Sequence, residues 1–87
     1  MDEFFDQLVT LCSPELVAAL KEKDADRVSA VIKGLATMLG RTIARAAAGD
    51  GSEIEKMLMA CEQHVAAEAA GMASVINLAA AARARRG

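Results

Sequence analysis

Aromatic residues are almost missing from this sequence. Phe4 and Phe5 are the only two among 87 residues, although hydrophobic residues make up 54% of the chain. Much of that fraction is alanine, whose burial stabilises far less than the ~1.5–3 kcal/mol of a fully buried Leu, Ile or Phe. A chain this short forms one domain with a thin core. We therefore expect a second chain to supply part of the stabilising apolar surface.

Proline is also scarce, with one residue in the chain, and no segment alternates polar and apolar residues as a half-buried strand would. Alanine is the strongest helix former. The sequence therefore predicts an all-α protein with a single domain over residues 1–87.

Cysteine is limited to Cys12 and Cys61, too few and too far apart for a disulfide framework. The N-terminus is acidic where a secretory signal would be basic. The most apolar stretch, residues 65–82, is mostly alanine and contains a glutamate and an asparagine, whereas a membrane span needs ~20 strongly apolar residues. These features favour a soluble protein of the reducing cytoplasm, with no membrane partner.

Neither sign of charge dominates, since the net charge is −2, so no global attraction to nucleic acid is expected. The charges are nevertheless grouped along the chain. Residues 1–26 carry −5, residues 27–49 carry +4, residues 50–68 carry −4 and the C-terminal arginines add +3. This pattern is typical of helices that complement one another in a bundle.

Helix-start and helix-stop signals predict four helices, at about residues 2–12, 14–23, 26–48 and 53–84, followed by a tail, 85–87, that is a candidate for disorder. Asp2 caps the first helix, and Ser13-Pro14 breaks the chain and restarts it. Either Asp24 or Asp26 caps the third helix.

The segment from Gly49 to Ser52 gives the clearest local signal. Gly49 ends the third helix, and Ser52 with Glu55 forms a capping box for the fourth. So short a connection predicts a long antiparallel hairpin of the third and fourth helices, which Gly34 and Gly40 would allow to approach closely.

The fourth helix is longer than the third, so we expect it to extend uncovered beyond about Val75. The chain is therefore predicted to form two short N-terminal helices and a long hairpin within a dimeric helical bundle. The predicted interface residues follow the apolar seams of the hairpin: Leu35, Leu39, Gly40, Ile43, Leu58, Val65, Met72, Ile76 and Leu78.

Cys61, His64 and Glu68 share one face of the fourth helix and could each bind a metal. The ordinary interpretation is that a free cysteine beside an apolar seam acts as a small hydrophobe. The chain has one histidine and no glycine-rich phosphate loop. No catalytic residue and no cofactor are therefore predicted, and the chain is not expected to be an enzyme.

Five arginines form a candidate basic patch: Arg41, Arg45, Arg83, Arg85 and Arg86. They could contact phosphate or an acidic partner, although arginines at a helix C-terminus also favour the helix dipole.

These features predict a small helical protein–protein interaction module, an adaptor, inhibitor or anti-activator that acts as a homodimer and binds a further protein. Two alternatives remain at this point: a nucleic-acid-binding transcriptional regulator, and a helical bundle that binds a metal or a small ligand. The high content of Ala, Arg and Gly is compatible with a bacterium or phage of high GC content.

Overall fold

The computed structural model describes residues 2–87. They form three helices and no strand: α1 (Glu3–Lys21), α2 (Ala25–Ala46) and α3 (Gly51–Arg86). The predicted all-α class is confirmed. The chain divides within α2 into two compact units, one ending at Thr42 and the other comprising Ile43–Gly87.

The first helix continues through Pro14, so the two short N-terminal helices expected from the sequence are one. Proline removes one helical hydrogen bond, and its ring crowds the carbonyl four residues earlier, here that of Thr10. Pro14 and Thr10 are both exposed, so water can satisfy that carbonyl. The opposite face of α1 is buried both before and after Pro14, since Cys12 and Leu16 are both partly buried.

Aspartates cap the first two helices, as the sequence predicts. Asp2 accepts a hydrogen bond of 2.9 Å from the amide of Phe4. Of the two candidates for α2, Asp24 is the cap, since its Oδ1 accepts a hydrogen bond of 3.1 Å from the amide of Arg27. Each carboxylate satisfies an amide that the first turn of a helix leaves without a partner.

After each of the first two helices, the first residue with a left-handed backbone conformation is not a glycine. Lys23 has φ 55° and Ala48 has φ 51°. The predicted stop, Gly49, is also left-handed at φ 79°, but it lies one residue further on. Its amide donates to the carbonyl of Ala44 at 3.0 Å, which closes the end of α2. The helix therefore ends at Ala46 rather than Ala48.

Asp50, rather than Ser52, caps α3. Its Oδ1 accepts from the amides of Ser52 at 2.9 Å and Glu53 at 3.3 Å. The predicted capping box is therefore wrong: α3 already begins at Gly51, and Asp50 accepts from the Ser52 amide that Glu55 was expected to satisfy. The helix continues to Arg86, beyond the predicted end at residue 84, and Gly87 caps it by donating to the carbonyl of Arg83 at 3.0 Å.

Burial in the first unit follows one face of α1. Ala19 is fully buried. Three other α1 residues on that face are partly buried, as are two apolar residues of α2: Leu8, Cys12, Leu16, Val28 and Val31. The α1 residues are four, four and three positions apart, which is the spacing of one helix face.

Burial in the second unit is confined to residues 43–61. Ile43 and Ala47 are buried, at 5% and 8% exposure. Ile54, Met57 and Cys61 of α3 are partly buried, and every residue from Glu62 to Gly87 is exposed. The predicted apolar seam of α3 is therefore partly buried at Ile54 and Cys61 and exposed from Val65 onward.

Candidate interaction surface

Large apolar side chains are far more often exposed than buried in this protein. Among residues 2–87, which the structure describes, seventeen are exposed, on all three helices, whereas the buried hydrophobic residues are Ala19, Ile43 and Ala47. An exposed apolar patch of more than a few hundred Å² is typical of a protein or membrane interaction site.

The two helices of the first unit enclose an open groove of about 510 Å³. Each helix lines the groove with residues that are mostly three or four positions apart and therefore share one helix face. The lining is apolar except for one carboxylate: Leu8, Leu11, Cys12, Glu15, Ala30, Val31, Gly34, Leu35 and Met38.

Glu15, the carboxylate of that lining, is held by Arg27. The Arg27 guanidinium donates 2.9 Å hydrogen bonds to Glu15 and to Glu22. The hydrogen bond and then the positive charge of Arg27 lower the pKa of the Glu15 carboxyl below its ordinary value of 4.5. The same contact raises the pKa of Arg27. Glu15 is thus a fixed, paired anion at the groove.

A second, shallower depression of about 390 Å³ adjoins the groove on α1. The two share Leu11, and Glu3 and Asp6 also line the depression. Within residues 2–87 neither carboxylate forms an ion pair. The groove therefore borders an acidic surface whose charges lack a partner in the structure.

Most of the predicted interface residues are accessible. Leu35, Leu39 and Leu58 are 47%, 40% and 49% exposed. The residues further along α3 are more exposed still: Val65, Met72, Ile76 and Leu78. Ile43 differs, because it is buried within its own chain and is not accessible to a partner.

The glycines of α2 lie in open space rather than at a close helix contact. A Cβ added to Gly34 or Gly40 would meet no atom within 4 Å. Neither glycine is therefore required by a close contact within residues 2–42 of its own unit.

Length and composition also make α3 a candidate membrane span. It contains a window with mean hydropathy 1.5 and none of that window is buried. Length and composition of this kind also occur in core helices of soluble proteins.

The predicted metal ligands do not form a cluster. Nε2 of His64 lies 3.9 Å from Oε1 of Glu68, and both side chains are about three-quarters exposed. Cys61 is partly buried. Within residues 2–87 no group of three or more His, Cys, Asp or Glu side chains could hold a metal ion.

The five predicted basic residues are all exposed, Arg41 and Arg45 on α2 and the other three in the last turn of α3. None forms an ion pair in the part of the chain that the structure describes. The sequence reasoning missed the groove and the Glu15–Arg27 pair. The α1 wall of the groove is formed by Leu8, Leu11, Cys12 and Glu15, whose spacings of three, one and three are the signal that could have identified it.

Neither a family model, a curated protein nor a solved structure matches this chain. Its function is inferred from its own residues.

Proposed function

We propose that the protein is a helical protein–protein interaction module that acts as a homodimer. Its role would be that of an adaptor, inhibitor or anti-activator, with the two copies forming a bundle around the α2–α3 hairpin. The observation that carries this proposal is the number of exposed large apolar side chains, seventeen against three buried residues.

The exposed apolar side chains support a second copy as the partner. In α2, Leu35 and Leu39 are 47% and 40% exposed, and in α3, Val65, Met72 and Ile76 are 56–59% exposed. Apolar helix faces of this kind are buried when two copies associate into a helical bundle.

The chemistry of this surface favours protein over nucleic acid. Nucleic acid is bound chiefly through phosphate contacts from Lys and Arg, and the net charge of this chain is −2. The exposed set is instead aliphatic and methionine-rich, and methionine adapts to varied apolar partners. We therefore propose binding to proteins and no catalytic role.

Sedimentation equilibrium of the full chain tests this proposal. We expect a mass twice that of the 9.1 kDa chain, with dissociation on dilution. A monomer at every accessible concentration would contradict it.

Flotation with phosphatidylcholine–phosphatidylglycerol vesicles is the companion measurement, because α3 is also a candidate span. The dimer should remain in the aqueous fraction. Flotation of the whole population would instead assign the exposed face of α3 to lipid.

A further inference from the structure

We propose that the groove between α1 and α2 receives the C-terminal half of α3, residues 65–86, from a second copy. By symmetry each copy would give its α3 to the other. This inference rests on the proposed homodimer and specifies which surfaces of the two copies contact each other.

The two surfaces match in chemistry. The groove is lined mainly by aliphatic side chains of α1 and α2. The C-terminal half of α3 carries an unpartnered apolar stripe, formed by Val65, Met72, Val75 and Ile76, and each of these side chains is 56–59% exposed. Val65, Met72 and Ile76 are seven and four positions apart and share one helix face, and Val75 lies at the edge of that face. A single helix of this kind fits an open groove between two others, as in helix-in-groove recognition.

Their charges are also complementary. Residues 69–87 contain three arginines and no acid, a charge of +3, whereas residues 1–26 carry −5. Glu3 and Asp6, beside the groove at Leu11, have no ion-pair partner in the described residues. Glu15, near the other end of the groove, is already paired with Arg27. The arginines would therefore lie toward Glu3 and Asp6, where the negative charge is free.

Burial along α3 shows which segment is available. The partly buried residues of α3 end at Cys61, and every residue from Glu62 to Gly87 is exposed. Residues 65–86 are therefore accessible to a second copy.

Disulfide trapping in the full chain tests the pairing. Cys12 lies in the groove and is the natural reporter, and Cys61→Ala removes the other thiol. In that background Ile76→Cys places a thiol on the apolar stripe of α3. Ser74→Cys is the matched control, because it lies about 200° around the helix from residue 76. After mild oxidation we expect a covalent dimer from Ile76→Cys and little from Ser74→Cys.

The outcomes separate this inference from the proposed homodimer. If sedimentation shows a dimer but the Ile76→Cys variant forms no disulfide with Cys12, the groove assignment is overturned and the homodimer stands. If the link forms within one chain, a second copy is not the occupant. A monomer in sedimentation would overturn both.

Filling the groove provides a test that does not need a cysteine. Gly34→Leu adds a side chain into open space in the groove lining, so the single chain should fold. Ala36→Leu adds bulk to α2 about 200° away. We expect Gly34→Leu to weaken dimerisation about tenfold or more, because overpacking costs ~1–3 kcal/mol. Equal effects of the two substitutions would contradict the groove assignment.

Discussion

The carboxylate of Glu15 in α1 accepts a hydrogen bond of 2.9 Å from Nε of Arg27 in α2. Arg27 also donates to Glu22, and its amide donates to Asp24, the cap of α2. One arginine thus joins both helices and the connection between them. The pair lies at one end of the apolar groove and helps to hold the two groove walls together.

The Glu15–Arg27 pair makes stability depend on pH. The pKa of Glu15 is lowered in the folded protein, so its contribution is fully present above the unfolded value. It is lost as the pH falls through the folded pKa. We expect Glu15→Gln to cause a small loss of stability near neutral pH and none in strong acid. Urea unfolding followed by circular dichroism measures this, with Glu62→Gln as the unpaired control. A loss that persists in strong acid would contradict the assignment.

Pro14 is a site where substitution should stabilise the protein. It lies inside α1, where proline costs about 3 kcal/mol relative to alanine. Pro14→Ala should therefore raise the free energy of unfolding by about that amount, with an unchanged urea m-value. Ser13→Ala, one residue earlier, is the control and should change it by a few tenths of a kcal/mol. If Pro14→Ala has no larger effect than its control, the chain breaks at Ser13.

The helical class and two of the caps could be predicted from the sequence because they depend on neighbouring residues. Asp2 and Asp24 act on amides two and three residues away. The continuity of α1 could not be predicted in this way, because a proline inside a helix ordinarily breaks it. The buried face that includes Leu8 and Leu16 extends on both sides of Pro14, and partly buried α2 residues lie in the same unit.

The sequence predicts apolar helix faces but not which of them the chain buries. Periodicity assigns Leu35, Leu39 and Met72 to apolar faces, and it cannot say which face a chain covers by itself. Ile43 belongs to the same α2 seam as Leu39, yet Ile43 is buried and Leu39 is 40% exposed. The groove depends on how α1 and α2 pack, which no local pattern specifies.

Ala48 provides a test of the left-handed end of α2. Its φ of 51° costs an alanine about 1–2 kcal/mol, whereas glycine adopts it freely. Ala48→Gly should raise the free energy of unfolding by about 1 kcal/mol. Ala46→Gly, in the last helical residue, should instead lower it. Thermal unfolding compares the two variants, and a loss of stability in Ala48→Gly would show that residue 48 is not left-handed.

Ile43 and Leu35 of α2 separate the core from the proposed contact surface. Ile43 is 5% exposed, whereas Leu35 lines the groove and is 47% exposed. Truncating a buried isoleucine to alanine costs about 2–5 kcal/mol, and the small core around Ile43 places the expected loss at about 2–3 kcal/mol. This loss should be the same at every protein concentration, because it arises within one chain. Leu35→Ala should cost little in dilute protein and more where copies associate, since binding a partner adds to apparent stability by mass action. Urea unfolding over a range of protein concentrations measures both effects. A loss in Leu35→Ala that does not depend on concentration would remove that side chain from the proposed surface.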